Sequence, residues 1–530
     1  MPTLASAPSF TSASTVDKKL EEGQGRVGPA STFSPLALIA EDEQDEGARI
    51  AGEVAQKFSE EEMEVVRKKI DRRVVPLLAA VYFSQFLDKN SINYSSVMGL
   101  PITGEHYNLV SLAFYVGYFF FEPVQSMLAQ RFPLAKYLGV NILLWASALI
   151  LHSSSGKWGV FFLWRFLLGT FECVVSPILI AMVASWYRKN EQSKRIGAFY
   201  VMNGVTNIIG GLLAWGITHY KGHSVAHWRI IYFVLGGMAF VVGAAVLIWL
   251  PDSPSTASFL TEREKQIALE RVRSNQSGTI SHRFKREQAI EALTDPKVWA
   301  ATLLMAIICV PNAAVTTFTS IIIKSFGYTS QEALLLNMPC GAVAIITTIT
   351  MSVCADKYNK RMLPLLGSVL PSIVGFALLL AYSNPGQYKA HKAPLFVGIL
   401  LGQTFVSGIA MLYSWSASNI GGSTKKAVVN GLLLVAFSGA NAAGTQAFAS
   451  NTAPRYLPGK IALFVLLFCL VPGTLLLHFY VRRLNAKKAA EVARLVQENG
   501  WTDEDLQREK DRLAFADLTD KQNPFFTYIL

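Results

Sequence analysis

The chain has 530 residues, of which 51% are hydrophobic and 16% are charged, and its formal net charge is +11. Soluble globular chains carry about 25% charged residues, so this composition, with its long apolar blocks, indicates a membrane protein. The basic residues cluster at the ends of the apolar blocks, which argues against nucleic-acid binding. The sequence shows no nucleophile elbow, metal-ligand cluster or nucleotide motif, so we expect no enzyme activity, metal or cofactor.

The beginning of the chain predicts a disordered tail followed by a helix. Residues 1–56 are rich in Ser, Thr, Ala and Pro and turn acidic at 41–46. Residues 57–72 predict a short amphipathic helix that leads into the membrane. Ser59, followed three residues later by Glu62, fits a capping box at the start of that helix.

Twelve apolar segments follow, each close to the roughly 20 residues that a helix needs to cross hydrocarbon. The predicted spans lie near 75–99, 109–129, 137–152, 158–183, 196–218 and 229–250, and near 298–322, 332–354, 362–382, 394–416, 427–449 and 460–482. We therefore predict an all-α membrane protein with twelve transmembrane helices in two six-helix bundles. The predicted units are a tail at 1–56, an N-terminal bundle at 57–250, a central loop at 251–297, a C-terminal bundle at 298–482 and a tail at 483–530.

The placement of Lys and Arg predicts the orientation of the spans. Both residue types are more frequent in the loops after even-numbered spans, in the central loop and in both tails. Because basic residues favour the cytoplasmic side, we expect both termini and the central loop in the cytoplasm of a multi-pass cell-membrane protein.

The first span carries charges near its middle, in the stretch QFLDKNSINYSS at 85–96. Asp88 lies close to the bilayer centre, where a charge costs about 2.5–3.5 kcal/mol on insertion scales. Helical spacing places Gln85, Lys89 and Asn93 on one face, whereas Asp88 points about 100° away.

The fourth span repeats this pattern with Arg165 and Glu172, which share a face because they are seven residues apart. We interpret Lys89 and Arg165 as a cationic pocket for an organic anion, and Asp88 and Glu172 as the protonatable pair. The alternative is a charge network that only holds the first and fourth spans together.

Other polar residues within the spans are candidates for the wall of a cavity. Each of them also fits a residue that only hydrogen-bonds one helix to another. They are Asn93, Tyr115, Tyr118, Asn203, Asn207, Asn312, Gln403, Trp415 and Asn441. Glu122, which precedes Pro123, is expected to pair with another group near the cytoplasmic side, and Gly210 and Gly211 are expected to allow close helix packing.

Several stretches resemble a known family across nearly the whole membrane region. They include KIDRRVVPLLAAVYFSQFLDKNSINYSSVMGL at 69–100, WRFLLGTFECVVSP at 164–177, WYRKNEQSKRIGAFY at 186–200 and DLTDKQNPFFTYIL at 517–530. The sequence resembles the major facilitator superfamily, in the fungal allantoate permease branch of its anion:cation symporter family. This resemblance implies two six-helix domains, alternating access and import of small organic anions with protons. Substrates of that branch include allantoate, ureidosuccinate, dipeptides, nicotinate and pantothenate.

The resemblance also implies roles for individual residues. Related symporters carry an Asp-Arg pair followed by Asn in the first span, and here Asp88, Lys89 and Asn90 stand at those positions. Lys in place of Arg keeps the charge but loses the bidentate fork. The fourth-span Arg and Glu of the family match Arg165 and Glu172, with the basic residues implied to bind the anion and the carboxylates to carry protons.

The superfamily's loop motif is degraded in the first half to LAQRFPLAK. In the second half Asp356 and Lys357 remain, whereas Ser352 and Asn359 replace glycines. Asp356 and Arg361 are therefore predicted to form a gating latch on the cytoplasmic side.

We thus expect a monomeric importer in the plasma membrane whose partners are the lipid bilayer, a small organic anion and a proton. An exporter of a small secreted metabolite fits the same residues, because the sequence does not set the direction. A nutrient sensor without transport would be expected to carry a longer signalling tail than 483–530, and a membrane enzyme would need the missing catalytic clusters.

Overall fold

The computed structural model describes residues 58–129, 131–222, 224–273, 285–384, 386, 388, 390–514 and 518–530. Every regular element within those ranges is a helix, which confirms the predicted all-α fold. The predicted tail at 1–56 and residues 274–284 of the predicted central loop lie outside the described residues.

The helices fall into a first half, a central loop and a second half. The first half contains α1 (Glu60–Val97), α2 (Glu105–Ala129), α3 (Leu134–Leu151), α4 (Trp158–Glu172), α5 (Val175–Trp186), α6 (Lys189–Tyr200), α7 (Met202–Thr218) and α8 (His227–Trp249). The central loop contains α9 (Glu262–Arg273) and α10 (Arg286–Thr294). The second half contains α11 (Pro296–Ser325), α12 (Ser330–Leu335), α13 (Asn337–Tyr358), α14 (Met362–Ala381), α15 (Lys392–Gly402), α16 (Val406–Asn419), α17 (Ser423–Gly444) and α18 (Leu457–Asn499), and α19 (Asp503–Ala514) follows it.

The first helix joins the predicted amphipathic segment to the first span. The Ser59 hydroxyl accepts from the Glu62 N–H at 3.3 Å, and the Glu62 carboxylate accepts from the Ser59 N–H at 3.4 Å, which confirms the capping box. The amphipathic segment is not a separate element, because α1 continues through Pro76 as one helix of 38 residues.

Ten segments of the described chain are long and apolar enough to cross a membrane, and they correspond to predicted spans three to twelve. The helices of the first two spans, α1 and α2, have 38 and 25 residues, more than the roughly 20 that a crossing needs. Charged, Asn and Tyr side chains interrupt the apolar runs of these two helices. Spans four, five, eight and ten each consist of two consecutive helices.

Close packing holds each half together and joins the halves. Helix α3 packs along α8 and α2 along α4, whereas α11 packs along α17 and α14 along α15. Contacts of α1 with α11, α2 with α17 and α7 with α13 join the halves. A Cβ on Gly204 would lie 2.6 Å from the Gly341 carbonyl oxygen, so α7 and α13 approach each other through glycines. The predicted boundaries of the two bundles stay a prediction.

The central-loop helices mark one end of the molecule, which we call the loop end. Lys69 of α1 donates to both carboxylate oxygens of Glu264 in α9, at 2.9 and 2.7 Å. The side-chain oxygen of Gln288 in α10 accepts from the Thr424 N–H at 3.1 Å. Thus α9 is bonded to the first half and α10 to the second.

At the opposite end, which we call the far end, hydrogen bonds connect the two halves directly. The Tyr107 hydroxyl donates to the Thr317 carbonyl at 2.8 Å. Asn108 donates to the Phe448 carbonyl at 3.3 Å and accepts at its own carbonyl from Gln446 at 3.2 Å. These bonds hold the far ends of α2, α11 and the segment after α17 together.

Candidate functional site

Asp88 and Lys89 are neighbours in α1 but face different surroundings, as the helical period predicts. Asp88 is fully buried inside the first half, where the indole N–H of Trp145 in α3 donates to Oδ2 at 2.8 Å. Its other oxygen, Oδ1, has no hydrogen-bond partner among the described residues. Asp88 is therefore buried with half of its hydrogen-bonding capacity unused.

The Lys89 ammonium lies among aromatic rings from both halves. Its Nζ is 5.6 Å from the ring centre of Phe86, 5.2 Å from that of Tyr115 and 5.4 Å from that of Phe437 in α17. Aromatic faces attract a cation but do not neutralise its charge. Within the described part of the chain, no carboxylate forms an ion pair with Lys89.

Arg165 is buried in α4 with few polar contacts. Its Nη2 donates to the Ser91 hydroxyl of α1 at 3.4 Å, and its Nε has no partner in the described ranges. Only 1% of Arg165 is exposed. The guanidinium therefore retains donors that are not used within the structure.

Glu172 is the last residue of α4 and lies where the fourth span is interrupted. Pro177 lacks an N–H, and its ring clashes with the carbonyl four residues before it, so the helix breaks at Cys173 and Val174. Glu172 is 1% exposed, and its Oε2 has no partner among the described residues. The carboxyl lies within electrostatic range of Lys89 and Arg165.

The structure thus brings together the four ionisable residues that the sequence selected. The Asp88 carboxyl is within electrostatic range of Glu172 and Arg165, and Glu172 also reaches Lys89. None of these cation–carboxylate combinations is a direct ion pair in the described part of the structure. The four residues form a loose group whose charges stay uncompensated by close contact.

A polar cavity lies between the halves. Asp88, Lys89, Arg165 and Glu172 are not among its described lining residues, but Asn90 of the wall directly follows Lys89 in α1. The cavity wall contains seven carboxamide side chains and two hydroxyls, and no charged side chain is among the described residues that line it. The lining residues are Asn90, Asn93, Asn203, Asn207, Asn312, Val315, Thr316, Thr319, Asn337, Ala344, Gln403 and Val406. They come from spans one, five, seven, eight and ten, so both halves contribute to the cavity.

The polar residues that the sequence singled out have different positions. Asn93 lines the cavity and accepts from the Ser320 N–H at 3.0 Å, whereas Tyr118, Trp415 and Asn441 are not among the lining residues. The Tyr118 ring lies 6.0 Å from that of Phe437.

Asn441 and Trp415 are both fully buried. Asn441 accepts from Asn312 at 2.8 Å and donates to the Phe437 carbonyl at 2.6 Å, so its amide is already used. Trp415 is fully buried, and its indole N–H has no partner among the described residues.

Sequence reasoning missed part of the cavity and misjudged one carboxyl. Asn337 and the hydroxyls of Thr316 and Thr319 line the cavity, and their only signal is a polar residue within an apolar run. Glu122 was expected to pair with another group, but it is 4% exposed and its Oε1 has no partner in the described ranges. The expected pairing is not seen, because Glu122 faces the protein interior on α2 and no cation of the described residues forms an ion pair with it.

The predicted latch residues lie at the loop end, away from the cavity. The Arg361 Nη2 is 3.3 Å from Oδ1 of Asp356, and the Arg361 Nε donates to the Ser414 hydroxyl at 3.0 Å. Asp356 is half exposed, whereas Arg361 is largely buried. Both residues belong to the second half, so the pair does not connect the halves directly.

Comparison with known proteins identifies the family. Residues 76–445 match the family model described as the Major Facilitator Superfamily. The chain belongs to the Major Facilitator Superfamily. It is therefore a membrane transporter, which is a non-enzymatic class, and the predicted superfamily is confirmed.

Fungal permeases are among the relatives of this superfamily member. The allantoate permease of Saccharomyces cerevisiae is 33% identical, over 94% of this chain and 93% of that protein. A thiamine pathway transporter of the same organism is 31% identical over 91% and 89%, and its high affinity cysteine transporter is 26% identical over 89% and 92%. The first of these relatives confirms the resemblance to the allantoate permease branch.

A solved structure supports the major facilitator fold. A bacterial homologue of the human lysosomal transporter Spinster superposes with a TM-score of 0.56 at 14% identity. The match covers 79% of this chain and 97% of the bacterial protein. At this level of identity the likeness concerns the fold alone.

Proposed function

We propose that this transporter imports a small organic monoanion together with protons, by alternating access between the two halves. The observation that carries the proposal is the group of buried ionisable residues that make no direct ion pair with one another in the described structure. Burying unpaired charge is costly, so such a group is expected where partners arrive and leave during function.

Lys89 is the best placed group to bind the substrate's acid group. Its ammonium lies between Tyr115 of the first half and Phe437 of the second, so an anion bound there would touch both halves. A substrate carboxylate would supply the negative charge that no carboxylate among the described residues supplies to Lys89 through an ion pair. The positive charge of Arg165 would add to the attraction for the substrate carboxylate. Binding would thereby favour closure of the halves around the substrate.

Asp88 and Glu172 are the proposed proton sites. Each is almost completely buried and has one carboxylate oxygen without a partner among the described residues. A proton removes the cost of burying such a group, and its release restores a charge that interacts with Lys89 and Arg165. Proton loading would thus change how strongly the site holds an anion.

The cavity wall favours a particular substrate class. Carboxamides and hydroxyls both donate and accept hydrogen bonds, so they suit uncharged polar groups such as amide, ureido or hydroxyl groups. Several wall groups already bond within the protein, so an apolar substrate would leave their remaining donors and acceptors without partners. A second acid group would meet no charged partner in the described lining. We therefore propose a monocarboxylate whose remaining part is polar and uncharged.

We place the loop end in the cytoplasm, with the Asp356–Arg361 pair as part of the cytoplasmic gate and a monomer as the working unit. The basic residues at this end of the spans support that orientation. We also propose that 57–250 and 298–482 move as the two bundles.

Uptake into proteoliposomes tests the proposal with three labelled acids matched in their number of non-hydrogen atoms. Hydantoate carries a ureido group, 4-methylpentanoate is the apolar counterpart and succinate carries a second acid group. Relative to protein-free liposomes, which measure passive entry of the protonated acids, we expect hydantoate to accumulate above the other two, and more at an external pH of about 5 than of about 7.5. Equal uptake of all three would contradict the substrate class. Acid-driven depletion of preloaded hydantoate would contradict import and favour the exporter.

A further inference from the structure

Residues 518–530 lie against the loop end of the second half and are bonded to it along their main chain. Asn419 of α16 donates to the Ile529 carbonyl at 2.9 Å and accepts from its N–H at 2.7 Å. Asn485 of α18 makes the same pair of bonds with Tyr528, at 2.8 and 2.9 Å. Two asparagines thus hold consecutive peptide groups of this segment in place.

The same segment inserts a carboxylate into a pocket at the loop end. Lys425 of α17 lies 2.9 Å from Oδ1 of Asp520, and the Gly421 N–H donates to this oxygen at 3.2 Å. Oδ2 of Asp520 accepts from the Tyr528 hydroxyl at 2.8 Å and from the Lys297 ammonium of α11. Asp520 and both lysines are fully buried, so this is a built carboxylate site and not a surface contact.

The lysines of this pocket have further acidic partners. Lys425 is 2.7 Å from Glu291 and 2.8 Å from Asp295, and Lys297 is 3.5 Å from Asp295. The three carboxylates could by themselves suggest a metal site, but the two buried ammonium groups already form ion pairs with them. Because Glu291 and Asp295 would stay behind, Asp520 can leave without stranding the lysines.

The end of the segment reaches the predicted latch. The backbone N–H of Arg361, at the start of α14, donates to the Leu530 carbonyl at 2.6 Å. The Arg361 guanidinium in turn contacts Asp356 and Ser414. The segment therefore connects the buried carboxylate pocket with the residue that orients the latch, and it touches α11, α14, α16, α17 and α18 on the way.

We propose that residues 518–530 form an intramolecular clamp, with Asp520 as its anchor in the carboxylate pocket, which fixes Arg361 and holds the loop ends of five helices together. The clamp does not depend on which substrate the transporter carries. As a consequence, a change in the contacts of Asp520 alters the contacts of Arg361 through the short stretch of chain between Asp520 and Leu530.

Hydrogen exchange of the full-length protein, followed by mass spectrometry, tests the clamp. In Asp520→Asn the amides of 518–530 and of 359–362 should exchange about tenfold faster or more, because Tyr528, Ile529 and Arg361 lose their acceptors. The helices of the first half should keep their protection. Lys521→Gln is the matched control, since its side chain is half exposed and it should leave both stretches protected.

Other outcomes overturn the clamp. Faster exchange of 518–530 with unchanged exchange at 359–362 would disprove the connection to Arg361. Unchanged exchange at both stretches would disprove the anchor, and faster exchange throughout the protein would show a general folding role. If Asp520→Asn does not fold, Asn419→Ala removes the second attachment and must loosen the same two stretches for the proposal to stand.

Discussion

The core of the first half and the loop end of the second half both bury ionisable side chains, but they treat them differently. At the loop end, Lys297 and Lys425 contact Asp520 and Asp295 directly. In the core, Asp88, Arg165 and Glu172 are as deeply buried but make no direct ion pair among the described residues. A paired cluster is satisfied by the fold itself, whereas an unpaired group needs partners that the fold does not supply.

The comparison teaches that burial alone does not identify a transport site. Both regions contain charges within or beside apolar spans, and hydropathy does not distinguish them. The two regions differ in how many oppositely charged groups each buried charge contacts directly. We therefore expect the loop-end cluster to contribute to stability and the core group to contribute to transport.

The largest expected difference is between two aspartate variants. Asp520→Asn should lower the free energy of unfolding by about 3 kcal/mol, more than a hundredfold in the equilibrium constant, because two buried lysines lose a partner. The loss should lie at the low end of the range for buried pairs, since Asp295 remains. Asp88→Asn should cost less than about 1 kcal/mol, because no cation among the described residues forms an ion pair with Asp88. Denaturation of the purified proteins measures the free energy of unfolding of both variants. Equal losses would contradict the distinction between the two regions.

The next largest effect is expected at Lys89, where two variants distinguish the contribution of the side chain's charge from that of its shape. Lys89→Gln should raise the KM for the transported anion about tenfold or more, because the substrate carboxylate loses its cation. Lys89→Arg keeps the charge and should stay much closer to the wild type. Initial uptake rates over a range of substrate concentrations give both values, and a KM that is the same in all three proteins would remove Lys89 from the binding site.

A smaller effect is the pH dependence of the loop-end cluster. Burial would raise the pKa of Asp520, but the nearby Lys297 and Lys425 outweigh burial and hold it below its ordinary value of 3.8. Because folding lowers this pKa, the stabilisation is complete above about pH 4 and is lost as the pH falls through the folded value. The stability difference between wild type and Asp520→Asn should therefore stay constant from about pH 7 to 5 and shrink below pH 4. A difference that shrinks between pH 7 and 5 would contradict this assignment.

The smallest effect is expected at the edge of the same cluster. The Lys521 side chain is 47% exposed and lies 3.8 Å from Asp295. Lys521→Gln should change the free energy of unfolding by less than about 0.5 kcal/mol, since exposed pairs contribute little. A loss as large as that of Asp520→Asn would mean that the exposed edge of the cluster contributes as much to the free energy of unfolding as its buried part.

Much of the fold and the centre of the site could be predicted from the sequence. Long apolar runs fix the helices, and a charge within such a run is costly enough to single out Asp88, Lys89, Arg165 and Glu172. The helical period also predicted that Asp88 and Lys89 face different ways. The transport roles of these residues stay predictions.

The remaining features depend on contacts between distant parts of the chain. A polar residue within a span has the same sequence pattern whether it faces a cavity, as Asn337 does, or bonds to a neighbouring helix, as Asn441 does. Asp520 meets Lys297 across 223 positions, and no local periodicity signals that contact. For this reason the sequence predicts only a tail at 483–530, and the packing of 518–530 against the second half is not foreseen.

Glu172→Gln tests the central claim most directly, because it keeps the size of the side chain and removes only its charge and proton. Two fluxes are measured in proteoliposomes: net uptake of labelled hydantoate driven by an acidic exterior, and exchange of internal for external hydantoate without a pH gradient. We expect proton-driven uptake to fall to background while exchange continues, with Glu122→Gln as the control for a second buried carboxyl on the same half. Uptake that stays fully proton-dependent in Glu172→Gln would contradict the account.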